Sequence, residues 1–113
     1  MVRVLVTVEP RMYREAIALA VQRGRPEAEV MLVSEEVMDG QVQDFAPDVL
    51  VRNDSDRAVP EGLLGSVVCR MEVLYTDGMA ARVSVGERSY RIEDASMEDL
   101  LALVDKAEEQ VSG

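Results

Sequence analysis

The chain opens on Val2-Arg3-Val4-Leu5-Val6-Thr7-Val8, a β-branched and almost continuously apolar run of the kind expected for a strand covered on both faces. Glu9-Pro10 follows. Proline has the right φ for a first helical position and no N–H to leave unbonded there, so a helix is expected from Pro10. Tyr13, Ala16, Ile17, Ala20 and Val21 then recur at helical spacing as far as Gly24 and Pro26. Residues 29–34 read as a second strand around Val30-Met31-Leu32-Val33. Val37, Met38, Val42 and Phe45 are only loosely periodic, with Gly40 among them, and predict a short or broken helix. Val49-Leu50-Val51 is a third buried strand running out into Arg52-Asn53-Asp54-Ser55-Asp56. Two successive strand–crossover–strand units predict a parallel sheet with right-handed connections.

The second half has a different rhythm. Over residues 67–75, Val67, Cys69, Met71, Val73 and Tyr75 alternate with Val68, Arg70, Glu72 and Leu74, which places this strand nearer a sheet edge. Residues 81–85 and 88–93 flank Gly86-Glu87, a pair suited to a two-residue type II′ turn. Pairing Val85 with Arg88 sets Val83 opposite Tyr90 and Ala81 opposite Ile92, so the large apolar residues share one face. Ser96-Met97-Glu98-Asp99 has the pattern of a capping box, and Leu100, Leu103, Val104, Ala107 and Val111 form the apolar stripe of a closing helix. The expected architecture is a single three-layer α/β domain over residues 1–113, with a mainly parallel sheet, a C-terminal β-hairpin and a closing helix.

Composition narrows the chemistry. A chain of 113 residues has room for one domain, and 48% hydrophobic with 30% charged residues is globular in balance. Twelve basic against 22 acidic residues give a net charge of -10, a field that repels phosphodiester backbones and argues against nucleic-acid binding. With no His and a single Cys, Cys69, imidazole bases, His-bound metals, thiolate zinc clusters and internal disulfides are excluded. No apolar stretch approaches the roughly 18 residues of a membrane span, so a soluble cytoplasmic protein without membrane contact is expected. No glycine-rich phosphate motif follows a strand, and the single Lys, Lys106, stands in the closing helix. Cys69 lies in an apolar alternation and reads as a buried structural thiol. Of the seven Met residues, only Met79, in a loop beside Gly78, stands outside a predicted core segment or the chain start.

Ligands in open α/β sheets sit beyond the carboxyl ends of the parallel strands. The candidate binding residues there are Thr7, Glu9, Ser34, Asn53, Asp54 and Thr76. Glu9 with Asp54 or Asp56 forms the candidate metal set, of a kind that would suit Mg²⁺. A helix-capping role for Glu9 and Ser34 and an Asx-type turn over residues 53–56 account for the same residues without a ligand. No catalytic residue and no resident cofactor is assigned.

Up to about residue 76 the order of elements resembles the receiver domain of response regulators, a flavodoxin-like fold. Residues 2–9 are similar to its first strand, Phe45-Ala46-Pro47-Asp48-Val49-Leu50-Val51 to the start of its third, and Leu74-Tyr75-Thr76 to its fourth. The resemblance implies a Mg²⁺-binding acidic pair after the first strand, a phosphoacceptor Asp after the third and a Lys after the fifth. Here Glu9 stands alone, the phosphoacceptor position falls on Asn53 with Asp54 next to it, and no Lys is available. The resemblance therefore implies a non-catalytic, pseudo-receiver-like regulatory or interaction module. The terminal β-β-α also resembles thioredoxin-like folds, without their C-x-x-C. A protein partner or a second copy pairing through the hairpin edge is the expected contact. The alternative is a small ligand- or metal-binding domain, or an enzyme, using the carboxylates at the strand ends.

Overall fold

The computed structural model describes residues 2–9, 11–33, 45–53, 67–74 and 80–112. Among the described residues, six strands and two helices follow one another as β1 (Arg3–Val6), α1 (Arg11–Gly24), β2 (Glu29–Leu32), β3 (Val49–Asn53), β4 (Cys69–Leu74), β5 (Ala80–Val85), β6 (Arg88–Ile92) and α2 (Met97–Ser112). They form an α/β fold around one sheet of order β2-β1-β3-β4-β5-β6. The β1–β2, β1–β3 and β3–β4 pairs are parallel, and β5 and β6 join as antiparallel neighbours.

Strand alternation divides the sheet into two chemically distinct faces. Val4, Val6, Val49, Val51, Cys69, Met71, Ala81 and Val83 pack in one buried cluster with Ile17 and Val21 of α1 and Leu100, Leu103, Val104 and Ala107 of α2. Both described helices thus cover the same face. On the other face Leu5 and Leu50 are fully buried, with Met31, Val33 and Val67 against them. Residues 34–44, which hold most of the short or broken helix expected between the second and third strands, and residues 54–66 lie outside the described residues.

The hairpin has the register that apolar patterning demands, with Val85 opposite Arg88, Val83 opposite Tyr90 and Ala81 opposite Ile92. Gly86 has a φ of 58°, and Glu87 is not among the described non-glycine residues with positive φ, which are Ala46 and Asp94. A positive φ at the first turn position alone is the type II′ signature. The closing helix begins on the expected box: Ser96 N–H and Oγ both donate to Asp99 Oδ2, at 2.8 and 3.1 Å, and Asp99 N–H donates back to Ser96 Oγ at 3.4 Å.

Two expectations need correction. β4 is not near an edge: it is paired on both sides, by β3 and β5. Its polar positions, Arg70 and Glu72, instead belong to the second face, where Arg70 Nε and Glu72 Oε1 are 3.4 Å apart. The buried stripe of α1 is Ile17, Ala18 and Val21, rotated from the one expected. Arg14, whose side chain is 12% exposed, takes a position on that stripe, while Tyr13 is 50% exposed.

Candidate functional site

The carboxyl ends of β1 and β3 lie side by side, which brings together three of the six candidate binding residues. Thr7 is fully buried, and its N–H and hydroxyl both donate to the Val51 carbonyl, at 2.9 and 3.4 Å. Asn53 turns its carboxamide onto the main chain of Glu9: Oδ1 accepts from Glu9 N–H at 2.6 Å and Nδ2 donates to Glu9 C=O at 3.3 Å. The Glu9 carboxylate in turn accepts from Arg14 Nη1 at 3.0 Å. These side chains secure the passage from β1 into α1. Ser34, Asp54 and Thr76, and with them Asp56 of the candidate metal set, lie outside the described residues. Among the described residues no three His, Cys, Asp or Glu side chains are grouped to hold a metal ion.

The concavity at this end of the sheet is apolar. Val51, Met71 and Val73 floor a cleft of about 280 Å³. Tyr13 and Ile17 of α1 and Leu100 of α2 wall it, and Ser96 and Met97 stand at the start of α2 beside it. Every side chain named here except Tyr13 and Ser96 is hydrocarbon or thioether, and those two carry hydroxyls. A largely apolar cavity with a few polar groups is the usual make-up of a small-molecule site.

Sequence reasoning missed this cleft because its lining carries no motif. Val51, Met71, Ile17 and Leu100 are core residues by pattern, and only three-dimensional spacing shows that α1 and α2 leave room between their first turns. A partial signal was available in the methionines. Met97 is 41% and Met12 70% exposed, so neither is the core residue that its segment suggested; Met79 lies outside the described residues. Thioether side chains at an opening adapt to ligands of different shape.

Cys69 is a buried thiol whose pKa burial pushes up, which keeps it protonated and unreactive. Among the described residues no helix is long and apolar enough to cross a membrane.

No protein-family model matches the chain, and no curated protein matches it in sequence. Among solved structures, it aligns over 99% of its length with an uncharacterised protein and "likely sugar N-formyltransferase" from Mycobacterium tuberculosis, at 14% identity and a TM-score of 0.47. The chain spans 65% of the length of that protein. The expectation of a non-catalytic, pseudo-receiver-like regulatory module is corrected at this point. The matched structure is described as a likely sugar N-formyltransferase, an enzyme, and an apolar cleft lies between the first turns of α1 and α2. At this identity and TM-score the likeness assigns no activity to the chain.

Proposed function

We propose that this chain is a small-molecule-binding domain that takes an uncharged, mainly apolar ligand, or the apolar moiety of a larger one, in the cleft between α1 and α2. The observation that carries the reading is the cleft itself: about 280 Å³ of space lined by Val51, Met71, Val73, Ile17 and Leu100 on the helix-covered face of the sheet, a mainly apolar concavity of the kind that takes small molecules. An apolar cavity of about 150 Å³ already accepts benzene, so the space here suits a bicyclic aromatic or a branched aliphatic group. The ring of Tyr13 adds an aromatic wall to the cleft. Glu9, Asn53 and Arg14 act as positioning residues, because their bonds fix the loop from which α1 and its Tyr13 start.

The neutral fluorophore N-phenyl-1-naphthylamine tests the proposal. The wild-type chain is expected to bind it saturably with enhanced emission. Ala81 also lines the cleft, and Ala81→Leu, which adds a branched side chain there, is expected to abolish the enhancement while the protein still unfolds cooperatively. Absence of saturable binding to the wild type, or equal binding by a folded Ala81→Leu variant, would overturn the proposal.

A further inference from the structure

The outer strand of the sheet carries a second, independent feature. β6 is an edge strand with four of its five residues exposed, and an open edge is a template for pairing. A two-residue hairpin loop is closed by a hydrogen-bonded pair, here Val85 with Arg88. Alternation then directs the main-chain groups of Arg88, Tyr90 and Ile92 toward β5, and those of Ser89 and Arg91 outward.

We infer that β6 pairs antiparallel with β6 of a second copy about a two-fold axis through Ser89. Only residues on the same face can oppose one another across such an axis, and the outward groups must meet as hydrogen-bonded pairs. Of the registers that satisfy both conditions, three pair at least three of the five strand residues. Centring on Arg91 opposes two arginines, and centring on Tyr90 opposes Glu87 to Glu93. Centring on Ser89 brings the turn residue Glu87, one position before the strand, to the level of Arg91 twice and sets Arg88 beside Tyr90 twice, a second cation for a ring that already carries Lys106.

The neighbouring charges favour the same register. Across the second face Arg52, Glu72, Arg82 and Arg91 lie in one row of directly paired positions. Like charges at Arg82 and Arg91 are unfavourable when opposed. Glu93 already meets Arg91 at 2.7 Å along the strand, and Glu87 of the second copy adds a further anion near it.

Sedimentation equilibrium across a concentration series tests the pairing. The wild type is expected to dimerise reversibly, and Glu87→Arg or Arg91→Glu each to raise the dissociation constant roughly tenfold. The double exchange is expected to restore it. Ser89→Cys is expected to form an intermolecular disulfide on mild oxidation, since hydrogen-bonded antiparallel pairs have Cα atoms about 5.5 Å apart. A wild type that stays monomeric at about 500 µM, which puts the dissociation constant in or above the millimolar range, would overturn the inference. So would a dimer whose affinity ignores both reversals, or a double exchange weaker than either single one.

Discussion

The side-chain amide of Asn53 grips the main chain of Glu9 at both its N–H and its C=O. The backbone register of β1 with β3 ends at Val6 opposite Val51, so this side chain continues the pairing two residues beyond the last paired strand position. Because oxygen meets the N–H and nitrogen meets the carbonyl, the bonds fix the amide's orientation. Asn53→Ala removes both and leaves two main-chain groups to find water. The expected loss is about 1–2 kcal/mol in urea unfolding, with the slope of the transition unchanged.

The register of the fold was legible where one face is apolar and the other polar. Val83, Tyr90, Ala81 and Ile92 left one hairpin pairing open, because a slip by one residue would reverse every side chain. The capping box was legible because Ser96 and Asp99 act locally. The stripe of α1 differs from the pattern because Arg14, charged by type, lies partly covered in line with it and pairs with Glu9. Proximity of Glu9 and Asn53 followed from strand order, but their use on each other's main chain did not, since a carboxamide can serve a ligand equally well. The cleft was not legible, because its walls are residues that would also fill a core.

Ser96 is the N-cap of α2, so loss of its hydroxyl leaves Asp99 N–H without its side-chain acceptor, while the Asp99 carboxylate keeps only the bond from the residue-96 N–H. Ser96→Ala is expected to cost about 1 kcal/mol. Hydrogen exchange should quicken first in the amides of residues 97–100, at the start of α2.

Gly86 occupies the left-handed region at a φ of 58°, with open space where a Cβ would stand. The cost of Gly86→Ala is therefore conformational and not steric crowding, about 1 kcal/mol. Thermal unfolding measures it, and an unchanged midpoint would show that the turn relaxes freely.

Arg25 donates from Nε and Nη2 to the two carboxylate oxygens of Asp105, both at 2.6 Å, tying the end of α1 to α2. The Arg25 hydrogen bond lowers the Asp105 pKa below its ordinary 3.8. A folded pKa below the unfolded one contributes stability that is present above the unfolded value and lost as pH falls through the folded value. Asp105→Asn is therefore expected to be less stable than wild type at neutral pH, with the gap closing below pH 3.8. Both side chains are partly exposed, at 32% and 52%, so added salt should narrow the gap as well.

Methyl NMR of the methionines and valines, during titration with indole, tests the ligand-binding account most directly. The account predicts saturable shifts at Met71, Met97, Val51 and Val73 around the cleft. Met31 and Val33, on the opposite face, should stay in place. Shifts confined to that opposite face, or none at saturating indole, would contradict it.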